Sequence, residues 1–147
     1  MTRPIITLTT DFGDSGHYVG AMRGVLLGIC PDAVLVDITH RITPYSALEA
    51  SLVLAQACPF FPEGSVHLAV VDPGVGGLRK PIIVRAQGQV FVGPDNGIFT
   101  PFFDGTEAIF RIREDVGRSD PSATFHGRDI FAPAAARVAR GEDAEAL

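Results

Sequence analysis

Three short apolar runs, Ile5-Ile-Thr-Leu-Thr9, Val34-Leu-Val-Asp-Ile38 and Leu68-Ala-Val-Val71, are separated by two stretches of helical periodicity. That alternation constrains the chain more than any other feature. Each run has the length and composition of a buried strand. The first intervening stretch, from about His17 to Ile29, sets Val19, Met22, Leu26 and Ile29 on one stripe. Gly20, Gly24 and Gly28 form a second stripe without side chains. Each such glycine costs about 1 kcal/mol of helix propensity, so the spacing predicts close packing against another backbone. The second stretch opens with Ser46-Ala-Leu-Glu49, a capping box in which the two side chains satisfy each other's free amides. It sets Leu48, Leu52 and Ala55 on one face and ends at Cys58-Pro59. A β-α-β-α-β order gives three parallel strands joined by right-handed crossovers.

After Arg79 the pattern changes. Ile82–Ala86 and Val90–Val92 flank Gly88-Gln89 as a hairpin, and Ala108–Ile112 is a further strand. Glu114–Ser122 is polar and reads as an exposed loop. A last helix runs from about Ile130 to Arg140, with Pro133 in its first turn and Gly141 ending it. The expectation is one α/β domain over residues 1–147. Its parallel core is extended by hairpin strands and layered α/β/α.

Composition excludes several classes. A formal net charge of -5 and the absence of a Lys/Arg cluster argue against a nucleic-acid partner. No apolar run approaches bilayer length and no charged-then-apolar leader precedes the first strand, so the reading is a cytoplasmic protein without membrane contact. Cys30 and Cys58 each precede a proline and read as buried thiols.

Chemistry concentrates where the strands exit, the place open α/β sheets keep for ligands. Asp11 follows the first strand, His40 the second and Asp72 the third. Pro73 and Gly74 turn the chain after Asp72, and Gly74, Gly76 and Gly77 lead to Arg79, with room for backbone to approach a ligand. That loop runs into another strand and not a helix, which excludes a P-loop and a Rossmann fingerprint. Phe125-His-Gly-Arg-Asp129 lies at the mouth of the last helix. These four loops are expected to converge on one crevice.

A metal-dependent phosphoesterase using Asp11, Asp72, Asp95 and His126 is one reading, although no close His/Glu spacing supports it. Serine or cysteine nucleophiles are disfavoured, since no Gly-x-Ser-x-Gly elbow occurs and neither cysteine has a basic neighbour in sequence. Asp, Arg and His without a nucleophilic side chain suit the holding and deprotonation of a water. Asp72 or His126 would take the proton, while Arg79 stays charged and fixes the carboxylate.

Thr10-Asp-Phe-Gly13, Tyr18-Val-Gly20, Val36-Asp-Ile-Thr-His40, Phe61-Pro-Glu-Gly64, Val70-Val-Asp-Pro-Gly-Val-Gly76, Val92-Gly-Pro-Asp-Asn-Gly97 and Thr124-Phe-His-Gly-Arg-Asp-Ile-Phe-Ala-Pro133 occur in order. With these motifs the chain resembles the S-adenosyl-L-methionine hydroxide adenosyltransferase family, relatives of the enzymes that form carbon-fluorine and carbon-chlorine bonds from the same substrate. The resemblance implies hydrolysis of S-adenosyl-L-methionine to adenosine and L-methionine, with no metal and no cofactor. It places water activation on Asp72, Arg79 and His126. Substrate binding falls on Asp11, Phe12, Tyr45, Asn96, Phe125 and Gly127, with Asp11 holding the ribose. The fluorinating relatives carry Tyr at the position of Asp72 and a halide-binding Ser at that of Gly127. Gly16 stands where the family often has a second acid. The family's β-rich second domain, which supplies much of the adenine pocket to a neighbouring subunit of a homotrimer, has no counterpart before Leu147. A chain of this extent is therefore expected to hold half a site and to turn over poorly, and a nucleoside-binding module without turnover is the reading from a different class.

Overall fold

The computed structural model describes residues 2–147. Six strands, β1 (Ile5–Thr10), β2 (Val34–Thr39), β3 (Val66–Val70), β4 (Pro81–Ala86), β5 (Gln89–Pro94) and β6 (Thr106–Arg111), form one sheet in the order β2-β1-β3-β5-β4-β6. β2, β1, β3 and β5 run parallel, and β4 is antiparallel to both β5 and β6. The expected hairpin is present, and its second strand, β5, inserts beside β3. β5 thereby continues the parallel core, and β4 begins at Pro81, a strand position where a missing amide donor is tolerated.

Alternation along each strand sends side chains to two cores. Ile6, Leu8, Leu68, Val70, Ile83 and Val92 face one layer, built from α1 (Tyr18–Ile29) and α3 (Ala132–Ala139). Ala69, Val71, Ile82, Val84 and Phe91 face the other, under α2 (Ala47–Ala57) and the 3-10 turn Thr100–Gly105. The α/β/α layering is thus as the sequence reading has it. Cys30 and Cys58 are free and buried, and burial pushes the Cys58 thiol up to about 12, which keeps it protonated.

Two local expectations fail, and a third is not met within the chain. α2 buries Ala50, Ser51, Leu54 and, just past its end, Cys58, whereas Leu48 and Leu52 are 72% and 54% exposed. In a helix almost wholly apolar, small residues decide the inward face because they let the helix lie close to the sheet. The capping box is half formed. The Ser46 hydroxyl accepts from the Glu49 amide at 3.2 Å, but Glu49 Oε2 accepts from the Thr43 amide, because the Ser46 amide already donates to the Thr43 carbonyl. The glycine stripe on α1 is exposed, and a Cβ at Gly20, Gly24 or Gly28 would meet nothing within 4 Å. Among the described residues no backbone packs on it, so the close contact expected of the stripe is not made within the chain.

Candidate active site

β3 carries the chain to Asp72, and the loop that follows doubles back on itself. A Cβ on Gly74 would stand 3.1 Å from Arg79 Cγ, and one on Gly76 (φ +75) would stand 2.6 Å from the Ala123 carbonyl oxygen. The glycines therefore serve the loop's own closure, against the facing segment, and not the expected approach of backbone to a ligand. That closure brings Arg79 onto Asp72. Nε donates to Oδ1 at 2.8 Å and Nη2 to Oδ2 at 2.5 Å, a bidentate pair whose side chains are only 10% and 5% exposed. Nη2 also donates to His126 Nδ1 at 2.7 Å. A guanidinium has no acceptor, so Nδ1 presents its lone pair and the neutral ring carries its proton on Nε2. Burial, and after it the Arg79 charge, hold His126 below its ordinary value, which favours that neutral ring.

His126 is positioned by an irregular helix start. Gly127–Phe131 forms one turn of π-helix that runs directly into α3, a local form often found at functional sites. Pro133 has no amide proton, so the Asp129 carbonyl lacks its usual helical partner, and the Arg118 amide supplies one at 2.9 Å. The fully buried Asp129 carboxylate accepts from the Ser122 amide at 2.7 Å and from Arg128 Nε at 2.6 Å, and the Arg128 contact holds it below the usual carboxylate range. These bonds pin the segment leading to Thr124 and Phe125.

Asp11 leaves β1 with Oδ2 accepting from the Tyr45 amide at 2.8 Å, while Oδ1 has no partner among the described residues. Tyr45 is 70% exposed and holds φ +67, a left-handed conformation that the Asp11 bond helps to maintain. Behind Asp11, Thr10 Oγ1 meets His40 Nδ1 at 2.8 Å and His40 Nε2 meets Asp37 Oδ1 at 2.8 Å. The His40 carbonyl accepts from the Gly13 amide. His40 was expected in the crevice. It stands one layer back, bracing the loop that carries Asp11 and Phe12.

A cleft of 380 Å³ joins these groups, lined by Asp11, Phe12, Tyr45, Asp72, Phe125, His126 and Gly127. Tyr18, Pro44, Val70, Val75 and Thr124 complete its wall. Those five were not singled out from sequence as site residues, although all but Pro44 lie inside the quoted motifs. Phe12, Tyr18 and Phe125 form one aromatic cluster with centroid separations of 5.2 to 6.0 Å. A Cβ on Gly127 would lie 3.0 Å from Met22 Sδ and 3.3 Å from Phe12 Cζ, so the floor there is already filled. Arg79 lies behind Asp72 and does not line the cleft. Asn96 lies outside it as well: its amide donates to the Val71 carbonyl at 2.8 Å, and the residue borders a neighbouring groove beside Leu48 and Ser51. Among the described residues no three His, Cys, Asp or Glu side chains gather as a metal ion requires, so the set Asp11, Asp72, Asp95 and His126 does not assemble.

This arrangement can accept hydroxyl donors on the free Asp11 oxygen, cover a flat apolar group with aromatic faces and present a paired carboxylate to a water. A family model described as SAM hydroxide adenosyltransferase N-terminal domain matches residues 6–147. The (R)-S-adenosyl-L-methionine hydrolase of Methanocaldococcus jannaschii is 46% identical over 97% of this chain and 57% of that relative. A fluorinase of Actinopolyspora mzabensis is 28% identical over 95% of this chain and 56% of the fluorinase. The crystal structure of an uncharacterized conserved protein from Thermotoga maritima superposes with a TM-score of 0.92 at 43% identity, over 95% of this chain and 56% of that one. The chain thus spans a little over half the length of the relatives it matches. On the match to its N-terminal domain model and the identity to its hydrolases, the chain belongs to the SAM hydroxide adenosyltransferase family.

Proposed function

We propose that the protein carrying this chain hydrolyses S-adenosyl-L-methionine to adenosine and L-methionine, with Asp72, Arg79 and His126 activating the water. The observation that carries the reading is the near-buried Asp72–Arg79 pair, tied to His126 and facing an aromatic cleft that also holds Asp11. The names of the hydrolase relatives support it. Asp11, with one oxygen free, accepts from the ribose hydroxyls, and Phe12, Tyr45 and Phe125 cover the nucleoside over the closely packed floor at Gly127.

In the reaction the water oxygen bonds to the ribose 5′ carbon as the carbon–sulfur bond breaks, and its electron pair goes to the methionine sulfur. The sulfonium sulfur leaves as the neutral thioether of methionine, so the step needs no metal and no cofactor. The water's proton goes to Asp72, because His126 Nδ1 is already engaged by Arg79 and Nε2 carries a hydrogen. His126 acts instead as a donor to the water oxygen and as the group that orients the guanidinium. A partly anionic nucleophile meeting a cationic centre loses charge in the transition state, so a site that excludes water favours the step. The proposal includes a cytoplasmic homotrimer as the working form, with a small-molecule substrate and neither nucleic acid nor membrane as partner. The exposed Tyr45, Leu48 and Leu52 supply apolar surface for such contact. Among the described residues no helix is long and apolar enough to cross a membrane.

Running the reaction in water enriched in oxygen-18 tests the chemistry. The label is expected in the 5′ hydroxyl of adenosine, at one atom per methionine released. Methionine release without label, or label without dependence on Asp72, would refute the assignment.

A further inference from the structure

The Asp72–Arg79–His126 cluster is a wall between two clefts. Asp72 lines only the first and Arg79 only the second, while His126 lines both. The second cleft, of 500 Å³, lies over β4 and β6 at the same end of the sheet and has no part in the proposed hydrolysis.

Its lining is basic in a chain of net charge -5. Arg79, Lys80, Arg111 and Arg113 face it against one carboxylate, Glu114. Arg113 is spent on Asp115, but Lys80 and Arg111 pair with no carboxylate among the described residues. Arg79 uses Nε and Nη2 for Asp72 and His126, leaving both protons of Nη1 without a protein acceptor. Nη1 is open to solvent, and the second cleft is the one that Arg79 lines. A nearly buried guanidinium held rigid on one side and open on the other is a preorganised anion donor. The volume exceeds what a bare oxyanion needs, and Pro81, Ile112 and Ile130 give it an apolar wall.

We propose that this second cleft binds a small organic phosphate, its phosphate group bridging Arg79 Nη1, Lys80 and Arg111 and its apolar part lying on Pro81, Ile112 and Ile130. Two free cations beside a guanidinium edge match the charge and spread oxygens of a phosphate dianion better than a single carboxylate. Because Arg79 is shared, an occupant there draws on the charge that holds Asp72, so ligands in the two clefts affect each other.

The test titrates phenyl phosphate, inorganic phosphate and benzoate into the 15N-labelled chain, against sodium chloride of matched ionic strength. Phenyl phosphate is expected to bind tightest, with amide shifts centred on Gly77, Lys80, Ile112 and Ile130. Lys80→Ala combined with Arg111→Ala, both at exposed positions, is expected to weaken it at least about ten-fold while the melting temperature without ligand stays put. Shifts centred on Phe12 and Tyr45, an affinity unchanged in the double variant, or equal effects from sodium chloride would overturn the site. Benzoate binding as tightly would overturn the preference for phosphate, and inorganic phosphate binding as tightly would overturn the apolar half. The shift map on the parent chain decides the location even if the double variant folds poorly.

Discussion

Acid should weaken this fold through His67. The imidazole sits fully buried near the start of β3, stacked on Phe91, with Nδ1 bonded to Thr7 Oγ1 at 2.7 Å and Nε2 short of a well-formed hydrogen bond, although Gln89 stands close enough to favour the charged ring. Among the described residues no carboxylate pairs with the ring, and burial lowers its pKa from 6.5 to about 4, with Gln89 offsetting part of that effect. Between those two values the unfolded chain binds a proton that the folded chain does not. Stability therefore rises with pH across the window, is complete above 6.5, and is lost as pH falls toward 4. At roughly 1.4 kcal/mol for each pH unit, the whole effect is about 3 kcal/mol, a large fraction of the stability of a domain this size. Urea unfolding from pH 8 to pH 4, on the parent and on His67→Gln, isolates it, because the other titrating groups cancel in the difference. The variant should start less stable, since it forfeits ring stacking, but its stability should fall less toward acid by about 3 kcal/mol. Parallel curves would refute the reasoning. The Thr7–His67 bond ties β1 to β3, the strands whose ends carry Asp11 and Asp72, so acid loosening there should reach the site as well.

Asp72→Asn is expected to abolish methionine release in the full-length protein while adenosine affinity, followed by calorimetry, changes little. The same variant strands the Arg79 charge in a nearly buried position and should cost roughly 3–5 kcal/mol in chemical unfolding. Because His126 is held below 6.5, the rate of hydrolysis should be flat through neutral pH. The rate should fall only on the acid side, as protonation of Nδ1 breaks the bond from Arg79; a pH profile with an alkaline limb alone would contradict the neutral-ring assignment. Leu54→Ala should destabilise the fold by about 2–5 kcal/mol, whereas Leu48→Gln and Leu52→Gln should stay within about 0.5 kcal/mol, as thermal melts will show.

The strand exits were legible because the residues there have few other uses. Asp72-Pro73-Gly74 and Thr10-Asp11-Phe12-Gly13 end apolar runs with polar turn chemistry, and in an open parallel sheet such turns fall together at one edge. That was enough to bring Asp11, Asp72, Arg79 and His126 into one neighbourhood before any coordinates. It did not place Asn96 or His40, because a side chain that bonds the protein's own groups behind the site and one that faces a ligand have the same sequence signature. Burial faces were legible only where polar residues marked the opposite side. The sequence reading takes Leu48, Leu52 and Ala55 as the inward face of α2, whereas Ala50, Ser51 and Leu54 are buried, because small residues let the helix lie closer to the sheet.

The π-turn at Gly127–Phe131 shows a different limit. A shift of one residue in hydrogen-bond register over a single turn leaves no period to detect. One contributor is nonetheless written in the chain, since Pro133 denies the Asp129 carbonyl its i+4 amide donor. What the sequence lacked was the partner. Arg118 can supply its amide only because Gly117 beside it has no Cβ, which would stand 2.2 Å from the Asp129 oxygen. The bond that sets the His126 backbone thus joins residues whose relation appears only once the 114–124 segment has folded over the helix start. Gly117→Ala should consequently act on the site before the fold. It should push the Arg118 amide off Asp129 and disorder Thr124 and Phe125. Adenosine affinity should then drop more than the roughly 1 kcal/mol that removing one such hydrogen bond costs in stability. Equal losses in both would mean that the segment merely packs, and that the π-turn holds His126 without it.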